Sequence, residues 1–322
     1  ARRAAPAAGT RPLTNPRLIY DDNLCPLEVS TYITLTGDVA PRFLGYGLNF
    51  TLVSDANELE MLTRGYRIFH NTTDRPTLII VQSHIGYGAP HKQDTPEAHG
   101  EPLGPKEVRL AKEFYGCDPD AQFAVPDGVP AHFREHLGRR GATVRAAWEK
   151  LFAEYRQQYP DLADQIDLMQ RRELPPGWDS ALPAFPADAN GIATRESSGK
   201  VLNAIAEKVP WMLGGAADLA PSTRTHLSFE FAGEFQAPGQ GGDYRGRNFH
   251  FGIREHAMCA IASGLSLAKL RPFASSFFIF TDYCRGALRL SAMMDLPVIY
   301  IWTHDSISMG EDGPTHQPIE QL

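Results

Sequence analysis

The sequence predicts an α/β protein whose parallel sheets are covered by helices on both faces. The first observation is a set of short, continuous apolar runs, such as "RLIY" and "TLIIV", without the apolar–polar alternation of half-exposed strands. The second is that longer stretches with helical periodicity separate these runs. Hydrophobic residues make up 43% of the chain and charged residues 21%, which is typical of a globular protein.

Net charge and cysteine spacing limit the kinds of partner and compartment expected for this protein. The net charge of −7 argues against a nucleic-acid partner, because a phosphate backbone requires a basic surface. No apolar run is long enough to cross a bilayer, and the start "ARRAAPAAGTRP" lacks the apolar block of a secretory signal. We therefore expect no membrane partner. The cysteines follow no spacing typical of disulfides or zinc sites, which favours a reducing, cytoplasmic setting: Cys25, Cys117, Cys259 and Cys284.

Residues 1–118 form the first predicted α/β region. The segments "RLIYDDN" and "RPTLIIVQSHIGYG" are predicted to be buried strands that run out into polar loops. Between them, "DVAPRFLGYG" and "DANELEMLTRGYRIFHN" are predicted to be helices or turns. Binding sites in parallel sheets lie at the carboxyl ends of the strands, which is where these polar tails fall.

Residues 119–187 are predicted to be a helical connector between two α/β regions. A helix is expected over "ATVRAAWEKLFAEYRQQYPDLADQIDLMQRREL", because Trp148, Leu151, Phe152 and Tyr155 follow helical spacing with charges elsewhere. The proline- and glycine-rich segment "PPGWDSALPAFPADANG" ends it.

Residues 188–322 resume the α/β alternation. Helices are expected over "TRESSGKVLNAIAEKVP" and "REHAMCAIASGLSLAKL", and strands with loops over "WMLGGAADLAPS" and "LPVIYIWTHDS". The segment "PFASSFFIFTDYCRGALRLSAMM" is predicted to be an aromatic turn that leads into a helix.

Two patterns in this region could carry chemistry. Glu255 stands at the start of an apolar helix, where a carboxylate can simply stabilise the helix N terminus. Beside an aromatic, water-poor pocket, the same carboxyl group could exchange a proton with a ring nitrogen. The aromatic turn offers Phe277, Phe280 and Tyr283 at three-residue intervals, which suits either core packing or the wall of a flat ring. Spacing alone does not choose between these alternatives.

Three loop motifs have equally open interpretations. In "YDDN", Asp22 and Asn23 are oxygen donors suited to Mg²⁺, although an Asx turn that closes the strand explains them as well. His99 lies in a Gly- and Pro-containing loop, where a histidine is usually only solvated. Asp218 and Ser222 follow a strand and could cap a helix.

The end of the chain contains several titratable groups within a short segment. The segment "THDSISMGEDGPTHQPIEQL" places two histidines and three carboxylates between His304 and His316, directly after the apolar run "LPVIYIW". Taken together with "YDDN", "IGYGAPHKQDTPEAHGEPLG", "GGAADLAPS" and "GIREHAM", this segment completes a series in the order found in transketolases. The sequence resembles that family from about Arg17 to Leu322.

The resemblance implies an enzyme with the thiamine diphosphate-binding fold. Transketolases use thiamine diphosphate with Mg²⁺ (or Ca²⁺) to move a two-carbon ketol unit from a ketose phosphate to an aldose phosphate, as in the pentose phosphate pathway and Calvin cycle. It also implies a homodimer with the cofactor at the subunit interface. Residues 1–118 then correspond to the C-terminal part of the pyrophosphate-binding domain, and residues 188–322 to the N-terminal part of the pyrimidine-binding domain.

The resemblance also implies roles for the cofactor-facing residues. Asn23 and the backbone carbonyl of Cys25 match metal ligands. Glu255 matches the carboxylate that hydrogen-bonds the aminopyrimidine and favours its imino tautomer, whose nitrogen removes the thiazolium C2 proton to give the ylid. The cofactor carries the carbanion chemistry while the protein positions it. The turn matches the wall of the pyrimidine pocket: Phe277, Phe280 and Tyr283.

On the substrate side, the resemblance assigns further positions. His99 matches a histidine near the cofactor and the reacting sugar. Asp312 and His316 match groups around the donor's hydroxyls and the carbanion intermediate, so Glu255, His99 and His316 are the expected catalytic residues. The residues expected to hold the substrate phosphate are Arg195, Ser222 and His304, which are a cation and hydrogen-bond donors.

The chain departs from the family pattern in its first part. The family's Gly-Asp-Gly motif and early histidines do not precede Arg17, and "LCPLEVS" replaces the usual continuation after Asn23. The alternative hypothesis is therefore a truncated, catalytically incomplete relative that serves as a binding or interaction module.

Overall fold

A computed structural model describes residues 13, 16–23, 31, 37–306, 312–318 and 320–321 of the chain. The chain divides into two compact units, with the boundary between Gly141 and Ala142. Each unit contains one parallel sheet, which confirms the predicted fold class. Within the described residues, no helix combines the length and the apolarity needed to cross a lipid bilayer.

The first unit is built on a three-stranded parallel sheet in the order β1-β3-β2. The strands are β1 (Arg17–Asp22), β2 (Asn49–Val53) and β3 (Thr77–Gln82). Helix α1 (Val39–Gly45) precedes β2, and helix α2 (Leu59–Asn71) links β2 to β3. The sequence did not predict β2, because "NFTLV" is too short and too mixed to stand out as a buried strand.

The central strand β3 explains why its sequence is continuously apolar. Leu78 and Ile80 pack on one face of the sheet with Phe43 of α1, whereas Ile79 and Val81 pack on the other face with Phe69 of α2. Successive side chains of a strand point to opposite faces, so a strand covered on both faces must be apolar at every position. The predicted burial of this strand is therefore confirmed.

The rest of the first unit is helical and largely exposed. Helix α3 (Glu97–Gly100) and helix α4 (Pro105–Phe114) follow the sheet. Helix α5 (Val129–Phe133) runs into a π-helical turn (Arg134–Gly138) and then into α6 (Arg139–Gln158), most of which belongs to the second unit.

The predicted single connector helix is two helices. Helix α6 ends at Gln158, and α7 (Pro160–Arg171) begins with a proline at its first position. Proline cannot donate the backbone hydrogen bond that a continuous helix requires, but it suits a first turn. The predicted amphipathic stripe is not a buried face, since the side chains of Trp148 and Leu151 are 56% and 63% exposed. Stacking along the helix joins Trp148, Phe152 and Tyr155 instead.

The second unit has a four-stranded parallel sheet in the order β5-β4-β6-β7. The strands are β4 (Met212–Ala216), β5 (Asn248–His250), β6 (Arg271–Phe277) and β7 (Ile299–Thr303). Strand β6 corrects the prediction, because the segment interpreted as an aromatic turn begins as a buried strand. The turn itself is a short 3₁₀ helix, Phe278–Tyr283. The helices are α8 (Thr194–Lys208), α9 (Ala220–Thr223), α10 (Glu255–Leu267) and α11 (Arg285–Met293).

Arg247, which directly precedes β5, connects the amino end of this sheet to the C terminus of α8. Its guanidinium donates to the carbonyl oxygens of Ala206, Val209 and Met212 at 2.6–2.9 Å, and it lies 5.0 Å from the centre of the Phe229 ring. A cation at a helix C terminus satisfies carbonyls that have no partner within the helix. Burial lowers the pKa of Arg247 to about 10, which still leaves it charged at neutral pH.

The two glycines of β4 allow its neighbours to approach closely. A Cβ added to Gly215 would overlap the backbone oxygen of Phe249 in β5, and one added to Gly214 would overlap that of Phe273 in β6. By contrast, a Cβ on Gly264, an exposed position in α10, would meet no atom within 4 Å.

We expect Gly215→Ala to lower the free energy of unfolding of this unit by about 2 kcal/mol or more, because overpacking of a close backbone contact forces strand displacement. The control variant Gly264→Ala should raise it by about 0.5–1 kcal/mol, since alanine is the better helix former. Urea unfolding followed by circular dichroism measures both. Equal stability of the two variants would contradict the close packing of β4 against β5.

Candidate active site

The carboxyl edge of the second sheet gathers most of the predicted site residues. Ser222 follows β4, Phe277 ends β6, and His304 directly follows β7. Arg195 lies in the first turn of α8 and reaches the same edge. Because all four strands are parallel, the residues that follow them meet on one side.

Arg195 and His304 form a direct hydrogen bond. The Nη1 of Arg195 lies 3.0 Å from Nε2 of His304 and 3.4 Å from the backbone oxygen of Ser222. A guanidinium has no acceptor, so Nε2 must accept and Nδ1 must carry the imidazole proton. Nδ1 lies 3.0 Å from Oγ1 of Thr303, which accepts that proton. His304 is therefore neutral, with both ring nitrogens engaged.

The surroundings of His304 favour this neutral form. Burial is the larger cause and the Arg195 cation the second, and together they lower the pKa of His304; its side chain is 8% exposed. Asp312 and Asp305 oppose this change in pKa, while His316 adds to it. The imidazole also stacks on Phe277, with ring centres 3.8 Å apart and planes inclined by 28°. The backbone of His304 is left-handed, with φ of 55°, which turns the chain sharply at the end of β7.

A cavity of about 460 Å³ opens beside this pair. Its wall includes Thr194 and Ser198 of α8, Trp302 of β7, and both Arg195 and His304. The N-cap residue of α8 is Ala193, and no side chain among residues 37–306 caps the first turn of this helix. A cation, hydroxyl groups and an uncapped helix N terminus are together suited to an anion such as a phosphate.

An aromatic cluster continues from the same edge. Phe277 stacks on Phe280, with ring centres 5.7 Å apart, and His316 meets the Phe280 ring edge-on at 5.4 Å. Tyr283 lies 6.0 Å beyond Phe280 but is 62% exposed. Phe277 and Phe280 therefore form the inner wall of this cluster, and Tyr283 lies at its outer rim.

Glu255 is the first residue of α10 and is only 5% exposed. Its Oε1 accepts a hydrogen bond from Oγ of Ser276 at 3.3 Å. Ser276 directly precedes Phe277 in β6, so this contact places the carboxylate beside the start of the aromatic turn. A carboxylate has further lone pairs, and one oxygen can serve a ligand while the other is held by the serine.

The segment 312–318 lies at the same sheet edge as His304. The carbonyl oxygen of Gly313 accepts from the backbone N–H groups of His316 and Gln317, both at 3.1 Å. Asp312 accepts from Nε2 of Gln317 at 3.3 Å, and both Asp312 and His316 have exposed side chains. Polar groups at the opening of a pocket are suited to hydroxyl groups of a bound ligand.

The remaining predicted residues belong to the first unit. Asn23 follows β1, and burial, with the neighbouring Asp21 as a second cause, raises the pKa of Asp22. His99 is exposed in the short helix α3. Among the described residues, no three acidic, histidine or cysteine side chains are grouped as a metal site. Cys25 lies outside the described residues.

Three residues of the site were not predicted from the sequence. They are Ser276, which holds Glu255, Thr303, which sets the tautomer of His304, and Thr194 at the start of α8. The contact of Ser276 with Glu255 joins two elements that are distant in the sequence, so the position of Ser276 carries no signal. For Thr303, its place between a strand and a histidine was the only available indication.

Comparison with protein families identifies the family to which the chain belongs. Residues 1–175 match the model "Transketolase, thiamine diphosphate binding domain", and residues 190–322 match "Transketolase, pyrimidine binding domain". The chain belongs to the transketolase family. The resemblance inferred from the motifs is therefore confirmed.

Individual transketolases agree with this assignment. The chain is 43% identical over 323 residues to the transketolase of Geobacillus stearothermophilus, and 40% identical to transketolase 1 of Saccharomyces cerevisiae. These alignments cover 100% and 99% of this chain but 47% of each relative. The chain thus spans about half the length of the curated relatives it matches.

Solved structures show the same likeness. A Pichia stipitis transketolase in complex with sedoheptulose 7-phosphate has a TM-score of 0.93 and 39% identity, covering 99% of this chain and 47% of that one. A transketolase from Leishmania mexicana has a TM-score of 0.91, 36% identity and the same coverage.

The described residues fit the pyrimidine end of the family's cofactor. Stacked aromatic rings beside a buried carboxylate are the groups that a flat ring with a basic nitrogen requires. Asn23 carries an amide oxygen, a type of ligand that Mg²⁺ accepts together with phosphate oxygens and water.

The neutral state of His304 predicts a pH dependence of stability. A group whose folded pKa is depressed stabilises the fold above its ordinary pKa, and this contribution is lost as the pH falls through the lowered value. We expect the free energy of unfolding to decrease from about pH 8 to about pH 5.5, and to decrease less in His304→Gln, which cannot be protonated. The exposed control His132→Gln, in α5, should retain the full dependence. Urea unfolding at both pH values tests this, and an unchanged slope in His304→Gln would contradict the neutral assignment.

Proposed function

We propose that this protein transfers a two-carbon ketol unit from a ketose phosphate to an aldose phosphate with thiamine diphosphate as cofactor. One observation carries the proposal: a buried carboxylate, Glu255, and a cation–imidazole pair, Arg195 and His304, are linked through Ser276 and Phe277 at one sheet edge. The first group suits a ring nitrogen, and the second suits a substrate phosphate. Names and structures of transketolase relatives support this activity over an interaction module.

The cofactor would be held by the aromatic cluster and by Glu255. Phe277 and Phe280 would cover the pyrimidine ring, with Tyr283 at the rim, while Glu255 would hold a proton between its free oxygen and a ring nitrogen. When bound, thiamine diphosphate supplies the carbanion chemistry that no side chain of the protein can perform. Mg²⁺ (or Ca²⁺) would take Asn23 and the Cys25 carbonyl as ligands.

The substrate would be held at both ends. Arg195 and His304 would bind the phosphate in the cavity at the start of α8, and Ser222, whose backbone carbonyl Arg195 contacts, would add its hydroxyl. Asp312 and His316 would contact the hydroxyl groups of the sugar, and His316 also lies against Phe280, close to the proposed ring position. His99 of the first unit would complete the catalytic set. Holding a flexible polyol at several points lowers the entropic part of the barrier.

We propose a cytoplasmic homodimer in which the cofactor lies at the subunit interface and the products enter pentose phosphate metabolism. Support for the cytoplasm comes from the free thiols of Cys117, Cys259 and Cys284, since oxidising compartments favour disulfides. Sedimentation with and without cofactor would test the dimer.

Cofactor binding is the first test. Thiamine diphosphate with Mg²⁺, titrated into the purified chain and followed by aromatic circular dichroism, should give a saturable signal. Phe280→Ala should weaken the affinity about 5- to 150-fold, because aromatic stacking on a flat ring contributes about 1–3 kcal/mol per ring in comparable sites. Leu290→Ala, an exposed apolar truncation in α11, serves as the matched control. No saturation in the wild-type chain up to millimolar cofactor would favour the interaction-module hypothesis.

Turnover is the second test, and the decisive measurement is kcat of the Glu255→Gln variant. With xylulose 5-phosphate and ribose 5-phosphate in a coupled assay, Glu255→Gln should lower kcat by about 10²- to 10⁴-fold, because the amide cannot exchange the proton. The exposed control Glu207→Gln should leave kcat unchanged. Undiminished turnover in Glu255→Gln would refute the role given to this carboxylate.

A further inference from the structure

We propose that Arg195 and His304 bind the phosphate as a proton-linked pair, in which His304 takes up one proton from solvent when the dianion binds. This inference rests on the phosphate site of the proposed function and adds how that site is regulated by pH. The hydrogen bonds of the pair, in addition to its place at the sheet edge, support this proposal.

In the free protein, the pair presents no imidazole donor to a ligand. Nε2 of His304 accepts from Arg195 at 3.0 Å, and Nδ1 donates to Thr303 at 3.0 Å. A phosphate dianion is an acceptor only, so it cannot hydrogen-bond a ring nitrogen that is itself an acceptor. His304 can therefore contribute a donor to phosphate only after Nε2 has gained a proton.

Nε2 can gain that proton in two ways. A proton can enter from solvent to give the imidazolium, or the proton on Nδ1 can be exchanged for one on Nε2, which leaves the ring neutral. The second route requires the hydroxyl of Thr303 to reverse from acceptor to donor. The first route keeps the bond from Nδ1 to Thr303 and adds a second cation next to the dianion.

The charges around His304 favour uptake from solvent once the dianion is present. In the free protein, Arg195 on α8 and His316 on the 312–318 segment disfavour the imidazolium, while Asp305 after β7 and Asp312 favour it. A bound dianion would offset the Arg195 charge and join the two carboxylates. The face of Phe277, 3.8 Å from the imidazole, adds a favourable contact for a cation.

Arg195 must give up its hydrogen bond to His304 when Nε2 gains a proton, because both nitrogens are then donors. Its contacts to His304 and to the Ser222 carbonyl both use Nη1, which leaves its other N–H groups for the ligand. Trp302 lines the same cavity, so anion binding should change the tryptophan fluorescence.

Sulfate is the decisive probe, because it remains a dianion throughout the neutral range and any proton must then enter the protein. We expect the Kd for sulfate, measured by fluorescence at constant ionic strength, to rise up to about tenfold per pH unit between about pH 7 and about pH 9. Inorganic phosphate should compete with sulfate for the same site. In wild-type protein labelled with ¹⁵N-histidine, saturating sulfate should move the His304 resonances to the imidazolium positions.

Histidine variants show whether His304 causes the pH slope of sulfate binding. His304→Asn should bind sulfate more weakly and without the pH slope, and His304→Gln provides the same test if the asparagine variant does not fold. The control His132→Asn, at an exposed position in α5, should retain the slope.

The outcomes distinguish this inference from the proposed function. Sulfate binding with no pH slope, and neutral His304 resonances, would overturn proton uptake and leave the phosphate site intact. A slope that persists in both His304 variants would also overturn it. The absence of sulfate and phosphate binding in the wild-type protein would count against the phosphate site and the inference together.

Discussion

The parallel register of β4, β6 and β7 is the constraint on which the site depends. Phe277 pairs with Thr303, so β6 and β7 end together, while β4 ends at Ala216, the partner of Ser275. This alignment places the ring of Phe277 against that of His304. A slip of one residue would turn Phe277 to the opposite face of the sheet and separate the two rings.

Strand β6 connects two different chemical environments. Its buried Ser276 holds Glu255, and the next residue, Phe277, stacks on the histidine that Arg195 contacts. These contacts thus connect the acid to the cation only through Ser276, Phe277 and His304. Such separation matters, because a direct ion pair between them would neutralise both groups and leave neither available to a ligand.

The neutral histidine shows how burial can set the charge of the proposed anion site. A permanently charged His304 beside Arg195 would be repelled, and burial would increase that cost. The hydrogen bond from Arg195 to Nε2 instead satisfies both groups, and the Thr303 hydroxyl sets the tautomer. The hydrogen bonds of His304 and its burial thus favour the same neutral form.

The sequence by itself determined the parallel α/β class, the helices α8 and α10, and the family, because apolar runs, helical periodicity and long motifs are local properties. It also indicated Glu255, His304 and the aromatic turn as candidates. Only the tertiary structure decided that β6 begins within that turn, that Ser276 holds Glu255, and that Arg195 meets a residue 109 positions away in the chain. Side-chain spacing along a chain cannot encode such contacts, since they depend on strand order and on which residues the parallel register brings to one edge.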